Sequence, residues 1–373
     1  MTTFEDLPDE ILLLICRYLS QLDILDSFSN LNKRYTKTIT FYRENIFLSH
    51  LTSNELEHFL TDHLSTFASN VISLYVNNSS MLNLGKIFEE KFDKIDQQFS
   101  RLTRLDFHQI DIETLENLSW RFNTMNYLRE LNIDLTNDRL SSMPVQFDEF
   151  LCGKLFSSSN SFQCLTLNLD EYRFHLHSFT QISEQLHSLT ISVKHLNDLL
   201  VLFDHLPNLE QLNITIGCSL PSNTKDETYR YDHLWWKVNY LTKFYLTIEE
   251  QHLTSHEHVL SHQLLFQIIG NLYSLSDVQF VFDIRFSSTL SMTTTKEIYT
   301  EKYLPYLDGT YWEHALQRND HRLMHFQLYF RLDGMEDQQF KRMKHSDGIF
   351  YDRTDRKTRH KRLFFQRDEF ILV

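Results

Sequence analysis

Glycine is scarce in this chain, at seven of 373 residues, whereas an average protein contains about 7% glycine. Loops that cradle phosphate groups, and the sharp turns that present a catalytic serine, need glycine at fixed positions. The patterns GxGxxG, GxxxxGK followed by Ser or Thr, and GxSxG do not occur in the sequence. The sequence therefore gives no sign of a nucleotide site or of an α/β-hydrolase site.

A net positive charge and long apolar runs are also missing. The net charge is −14, whereas nucleic-acid binding depends on lysine and arginine side chains that neutralise phosphates. No apolar run approaches the roughly 20 residues that span a bilayer. We therefore expect neither a nucleic-acid partner nor a membrane partner.

Cysteine pairs of the CxxC type are absent. The cysteines Cys16, Cys152, Cys164 and Cys218 are far apart in the sequence. The N-terminus, MTTFEDLPDE, is acidic and lacks the basic segment of a secretion signal. We therefore expect reduced thiols and a location in the cytoplasm, the nucleus or both.

The first 42 residues contain three short helical patterns. Leu7-Pro8 precedes acidic residues that suit the positive end of a helix, and Asp23 and Asn32 are predicted to cap the second and third helices. A core this small is stable only if something covers its apolar surface. Either another protein docks there or the helices close the next domain. The apolar residues of the first helix recur at spacings of three and four: Leu7, Ile11, Leu14, Ile15, Tyr18 and Leu19.

This segment resembles an F-box. LPDEILLLICRYL is followed by DILDSFSNLNKRY, although Tyr35 replaces the usual tryptophan and Asn30-Leu31 replaces the usual Val-Cys. The matching positions are Leu7, Pro8, Glu10, Ile11, Ile15, Leu19, Asp23, Ile24, Leu25, Leu31, Arg34 and Tyr35. The resemblance implies binding to the Skp adaptor of cullin–RING ubiquitin ligases. The adaptor-binding residues that it implies are Leu7, Pro8, Glu10, Ile11, Ile15, Leu19, Ile24 and Leu25.

A six-residue pattern, apolar-x-x-apolar-x-apolar, recurs nine times after these helices. The alternation at its end predicts strands with one buried face. Helical segments are predicted between strands at Ile112–Asn123, Asn197–His205 and Ser255–Ile269. Strand followed by helix, repeated, predicts parallel strands on one side and helices on the other. The copies begin at Val71, Leu102, Leu128, Phe162, Leu186, Leu209, Leu241, Leu275 and Leu323.

The repeat resembles degenerate leucine-rich repeats. The asparagine or cysteine of that family is replaced by Ile110, Thr136, Lys194, Gly217 and Glu249. We therefore expect an α/β repeat fold: a three-helix F-box (residues 1–47), a leucine-rich-repeat-like solenoid (48–332), and a charged C-terminal segment with an apolar terminal cap (333–373). The alternative is a conventional α/β domain with a parallel sheet.

Polar residues alternate with the buried positions of the predicted strands. Their mixed character suits a protein surface better than a small-molecule pocket, which is mostly apolar. Those that we predict to bind a target protein are Arg104, Asp106, Glu130, Asn132, Gln211, Asn213, Lys243, Tyr245, Gln327 and Tyr329.

Two further segments have competing interpretations. Four histidines cluster at His252, His256, His258 and His262. His258 and His262 are spaced like zinc ligands on one helix face, but there is no nearby cysteine or obvious third ligand, so we favour a polar helix face. Residues 341–362 carry nine lysines or arginines against three aspartates. They form either a localisation signal or anionic-partner patch, or a solvated segment, which we favour. The apolar tail after residue 362 is predicted to pack on the last repeat.

The sequence therefore favours a substrate receptor of a cullin–RING ubiquitin ligase, monomeric before assembly, with no catalytic residue, metal or cofactor of its own. Its F-box binds the Skp adaptor, and its repeats bind a target protein. A second hypothesis is an interaction scaffold outside ubiquitin transfer, in which the helices cap the solenoid. A third is an enzyme with an unrecognised site, for which a deep pocket with strongly shifted titratable groups would be evidence.

Overall fold

The chain divides into two compact units, Met1–Glu171 and Tyr172–Val373. The computed structural model describes residues 6–29, 31–49, 51–77, 95–122, 124–135, 148, 152–169, 172–176, 181–217, 238–253, 272, 274–286, 325–333, 351–352 and 361–368. Each unit contains its own set of parallel strands.

Four short helices open the first unit: α1 (Asp9–Cys16), α2 (Gln21–Phe28), α3 (Lys33–Thr38) and α4 (Thr40–Glu44). The α2 helix begins in a capping box, where the Ser20 hydroxyl accepts from the Asp23 N–H at 3.1 Å and the Asp23 carboxylate accepts from the Ser20 N–H at 3.3 Å. The cap is therefore Ser20, and the prediction of Asp23 was wrong by three positions. The predicted cap at Asn32 is confirmed, because its side chain accepts from the Tyr35 N–H at 3.0 Å.

The helices share a small apolar core. Phe28 and Tyr35 meet edge to face with ring centroids 6.0 Å apart. Leu31, one of the positions that match the F-box pattern, is 58% exposed because it lies in the turn before α3. The buried apolar residues are Leu12, Cys16, Leu22, Ile24, Leu25, Phe28, Tyr35 and Ile39.

Further helical segments follow in the first unit. Helix α5 (Ser53–His58) continues directly into a π-helical stretch, Phe59–Leu64, and a last turn, Ser65–Phe67. Next come a 3₁₀ turn (Ala68–Asn70), helix α6 (Ile95–Gln98) and helix α7 (Ile112–Phe122). Helix α7 begins at the predicted residue.

Among its described residues, the first unit has five strands: β1 (Asn45–Leu48), β2 (Ser73–Asn77), β3 (Arg104–Ile110), β4 (Glu130–Leu135) and β5 (Cys164–Asn168). They pair in chain order, and every pair is parallel. Strand β1 was not predicted, because Ile46, Phe47 and Leu48 are all apolar and conceal the alternation. The predicted boundary between residues 47 and 48 lies inside this strand.

The second unit continues the pattern with β6 (Ser188–Val193), helix α8 (Leu196–His205), β7 (Gln211–Gly217), β8 (Lys243–Leu253), β9 (Asp277–Phe286) and β10 (His325–Asp333). Strands β6 to β10 pair in chain order and are parallel. Each of the nine predicted strand positions holds a strand, which begins two residues after the start of its motif. The predicted helix 255–269 lies outside the described residues.

Two strands near the C-terminus run in the opposite direction. Strand β12 (Lys361–Asp368) pairs antiparallel with β10, and β11 (Tyr351–Asp352) pairs antiparallel with β12. The apolar tail was predicted to pack on the last repeat, and its residues 363–368 do pair with that repeat's strand. Most of the basic segment 341–362 lies outside the described residues.

Burial alternates along the parallel strands. In β4 and β6 every second residue is buried and its neighbours are half-buried, so one face of these strands is covered and the other is accessible. In doubly wound α/β domains, by contrast, both faces of the parallel sheet are covered. Within the described residues, no helix is long and apolar enough to cross a membrane.

The two faces of α1 should differ in their contribution to stability. Leu12 is fully buried, so Leu12→Ala should lower the free energy of unfolding by about 2–5 kcal/mol. Leu14 is 47% exposed, so Leu14→Ala should change it by about 0.5 kcal/mol or less. Urea unfolding of both variants measures the difference, and equal effects would show that the buried face is assigned wrongly.

Candidate recognition surfaces

The accessible face of the first sheet is a row of side chains set by strand register. Phe47 lies beside Tyr75, and Tyr75 beside Asp106. Asp106 in turn lies beside Asn132. In parallel strands paired without a shift, such neighbours point to the same face.

A groove of about 750 Å³ runs over this face. Its lining residues come from all five strands of the unit and from the segments that precede them. The predicted target-binding residues Arg104, Asp106, Glu130 and Asn132 all line it. The groove also contains residues that were not predicted as binding residues, among them Asn45, Phe47, Tyr75 and Thr166.

Asp106 is the buried centre of the groove. It is 5% exposed, so it does not belong to the accessible positions among which it was predicted. Its carboxylate accepts a hydrogen bond from Arg104 Nε at 2.8 Å and another from the Asn132 amide. The bond to Asp106 raises the pKa of the Arg104 guanidinium, which also lies 3.4 Å from the Glu130 carboxylate. Asp106 therefore fixes the two side chains that can contact a partner.

An aromatic wall borders the charged group. The Phe47 and Tyr75 ring centroids are 5.9 Å apart, and those of Tyr75 and His108 are 4.7 Å apart. His108 also faces the Asp134 carboxylate at 3.4 Å. The groove thus combines a flat apolar surface with an arginine and carboxylates, a mixture that suits a peptide or protein surface.

A bulge in β3 affects the position of His108 in this wall. Gln109 has φ of 54°, in the left-handed region that side chains other than glycine adopt rarely. The register with β4 shifts between Phe107 and Ile110. Bulges turn a side chain away from the regular ladder direction, so the geometry of His108 depends on this irregularity.

The second unit presents a related face. Asn213 is exposed, while Gln211, Lys243 and Tyr245 are half-buried. Gln211 lies beside Lys243, and Asn213 beside Tyr245, across β7 and β8. These four predicted residues therefore form one patch. Two further predicted residues, Gln327 and Tyr329, lie on β10, where the description covers the backbone alone.

Tyr245 is held in place within that patch. Its hydroxyl donates to the Asp277 carboxylate at 2.6 Å. Burial and this carboxylate raise the pKa of Tyr245 to about 12. At neutral pH the phenol therefore stays protonated and acts as a hydrogen-bond donor.

Gly217, the last residue of β7, leaves room for a neighbouring side chain. A Cβ atom on Gly217 would lie 3.2 Å from Arg173 Cγ. Without it, Arg173 lies across the strand and forms an ion pair with Glu249 on β8. Gly217 and Glu249 both replace the asparagine of the repeat pattern, and the pair Arg173–Glu249 supplies a polar contact there.

The outer face of α1 is the second candidate surface. Among the residues that the F-box resemblance implies, Pro8, Glu10, Ile11 and Leu19 are exposed, and Leu7 and Ile15 are half-buried. Leu13, Leu14 and Tyr18 add 40%, 47% and 84% exposed side chains. Arg34 ties the start of this face to α3, because its Nε donates to the Asp9 carboxylate at 2.8 Å and Nη2 donates to the Leu7 carbonyl.

Two of the implied adaptor-binding residues lie elsewhere. Ile24 is 1% exposed and Leu25 is fully buried, both in the core between the helices. Their side chains stabilise the module and do not reach its surface. The candidate surface therefore excludes these two residues and includes Leu14 and Tyr18.

A search with protein-family models found no match for this chain. A search of curated proteins found no match either.

Removing the Asp106 carboxylate should disorder the groove. Asp106→Ala leaves Arg104 and Asn132 without their shared acceptor, so the free energy of unfolding should fall by about 1–3 kcal/mol. Asp134→Ala is the matched control, because Asp134 is more accessible and makes one long contact to His108. Urea unfolding of the two variants measures the contrast, and an equal loss would contradict the central role of Asp106.

Replacing Tyr245 by phenylalanine should have a pH-dependent cost. Because the folded pKa lies above the unfolded value of about 10, the hydrogen bond contributes fully below pH 10 and is lost as pH rises towards 12. Tyr245→Phe should therefore lower the free energy of unfolding by about 0.5–1.5 kcal/mol at pH 8, and by less at pH 11. Tyr240→Phe, at a 61% exposed position, should have little effect at either pH. A pH-independent cost would argue against this assignment.

Proposed function

We propose that this chain is the substrate-recognition subunit of an SCF-type cullin–RING ubiquitin ligase, in the cytoplasm, the nucleus or both. Its N-terminal helices are an F-box that binds the Skp adaptor, and its leucine-rich-repeat-like body binds a target protein. Other subunits carry out catalysis, and this chain raises the effective concentration of the target near the transferred ubiquitin.

The observation that carries the docking half of this proposal is the apolar outer face of α1. Leu12 and Cys16 bury the opposite side of the helix, yet Ile11 and Leu14 on the helix and Tyr18 in the turn after it remain 42%, 47% and 84% exposed. Contiguous exposed apolar side chains mark a protein interface. The F-box resemblance supplies the identity of the partner.

The scaffold hypothesis makes a different claim about the same residues. If the helices served as an end cap alone, the face around Ile11 and Ile15 would be buried against the body. The contact with the sheet is made from another element: Gln21 on α2 donates to the Tyr42 and Asn45 carbonyls at 2.6 Å and accepts from the Phe47 N–H at 2.9 Å. The helices thus contact β1 through α2 while the outer face of α1 stays accessible, which favours docking.

The repeat half of the proposal is supported by strand order and by the accessible sheet face. Strands that pair in chain order, all parallel, need each connection to return to the same end of the sheet, as in a solenoid. The polar row of that face and the groove of about 750 Å³ above it suit an extended or loop-like protein segment. The Phe47–Tyr75 aromatic pair would bind an apolar side chain, and Arg104 would pair with a carboxylate or phosphate group.

The α1 face provides a direct test of docking. Ile11→Ala combined with Leu14→Ala removes two exposed apolar side chains, each worth about 1.5–3 kcal/mol when fully buried at an interface. We therefore expect at least a tenfold loss of affinity for purified Skp adaptor, measured by titration calorimetry with the full chain. Phe41→Ala, at a 60% exposed position on α4, is the matched control and should bind normally.

Two results would contradict the proposal. The first is wild-type affinity in the double variant. The second is no measurable binding of the adaptor by the wild-type chain, which would favour the scaffold hypothesis. Circular dichroism of each variant verifies that its helices remain folded.

A further inference from the structure

Two histidines and an aspartate converge in the first unit, and none of them lines the groove or lies on α1. Asp26 lies on α2, His58 ends α5, and His63 belongs to the π-helical stretch that follows. One ligand atom from each lies within 4.8 Å of the other two. His63 Nε2 is 2.6 Å from Asp26 Oδ1, and His58 Nε2 is 3.2 Å from the same oxygen.

The π-helical stretch is what brings the histidines together. In an α-helix, residues five apart point about 140° away from each other. A π turn, which is closed by hydrogen bonds between residues five apart, returns the fifth residue to nearly the direction of the first. The rings of His58 and His63 therefore meet, with their centroids 5.4 Å apart. Such stretches are frequent at functional sites.

The surroundings of His58 resemble a metal ligand's environment. Its Nδ1 lies 2.7 Å from the Asp62 carboxylate, while Nε2 points to Asp26. A neutral imidazole has a single N–H, so it cannot donate to both carboxylates. The hydrogen bonds to Asp62 and Asp26 raise the pKa of His58. A metal ion at Nε2 would therefore replace the proton on that nitrogen, while Nδ1–H keeps its bond to Asp62. This carboxylate–histidine arrangement orients metal-bound histidines and strengthens their donor atoms.

We propose that Asp26, His58 and His63 bind a divalent transition-metal cation of the Zn²⁺ type, with Asp62 as a positioning residue. Two imidazoles and one carboxylate form a ligand set that zinc uses, with the remaining position open to water or to a partner's side chain. Asp26 and His58 each have 43% of their side chain exposed, so an ion has access from solvent. His63 is nearly buried beside the rings of Phe59 and Phe67, which makes one wall of the site rigid.

The consequence would be a cross-link between helix α2 and the helix that follows β1. Residues 26 and 63 are 37 positions apart in the sequence. A metal bound by both stabilises the folded arrangement over the unfolded chain, in which no preformed site exists. None of the three ligands lies on α1, so a failure of α1 to bind the adaptor would leave this proposal standing.

Equilibrium dialysis against ZnCl₂ tests the proposal on the full chain with any affinity tag removed. The wild type should bind one more Zn²⁺ ion per chain than Asp26→Asn and than His58→Gln, two variants at exposed positions that should fold normally. Zn²⁺ should raise the thermal unfolding midpoint of the wild type more than that of either variant. Co²⁺ in place of Zn²⁺ should give the visible absorption of a bound ion in the wild type but not in Asp26→Asn or His58→Gln.

Two further variants sharpen the test. His258→Gln with His262→Gln is the matched control, because it alters the other histidine pair and should leave this ion bound. Asp62→Asn should still bind the ion, but with an affinity about 10- to 100-fold lower, as expected for a positioning carboxylate. Equal Zn²⁺ stoichiometry and affinity in the wild type, Asp26→Asn and His58→Gln would overturn the proposal and leave these side chains as hydrogen-bonded pairs.

Discussion

Parallel pairing of strands in chain order is the constraint on which the rest of each unit depends. A parallel pair cannot be closed by a hairpin, so the chain has to return along one face of the sheet between strands. That face is sealed by apolar side chains in register, such as Leu74, Leu105, Leu131 and Leu165 across β2 to β5. Each contributes about 1.5–3 kcal/mol through its burial. The opposite face of the same strands is left accessible, and the groove forms there.

Polar chemistry on that accessible face follows from the same register. Asp106 and Asn132 are neighbours because β3 and β4 pair there without a shift. The bulge at Gln109, three residues further along β3, changes the register after that point. A carboxylate that is buried on an otherwise accessible face has to be paired and hydrogen-bonded. Arg104 supplies the opposite charge, and the Asn132 amide donates a further hydrogen bond. The recognition surface thus depends on a buried charge that no partner needs to touch.

The periodicity of apolar residues along the sequence predicted the strands and one helix start. The nine strand positions follow from an alternation of period two, and the start of α7 from its period near 3.6. The same reasoning failed at two places. The apolar Phe47 conceals the alternation of β1, and the burial of Asp106 depends on a residue in the next strand. On α1, leucine and isoleucine occur on every side, so periodicity could not distinguish the face that Leu12 buries from the face that Leu14 exposes. The convergence of Asp26 with His58 and His63 needs both a π turn and a tertiary contact, and neither leaves a periodic signal.

The central claim is that the outer face of α1 docks on the Skp adaptor while the sheets remain available for a target. Hydrogen exchange of the full chain, followed by mass spectrometry with and without saturating purified adaptor, tests it most directly. The account predicts slower exchange in peptides that cover residues 7–19, and unchanged exchange in peptides that cover β2 to β5. Unchanged exchange at residues 7–19 in the presence of bound adaptor, or protection confined to the strands, would contradict it.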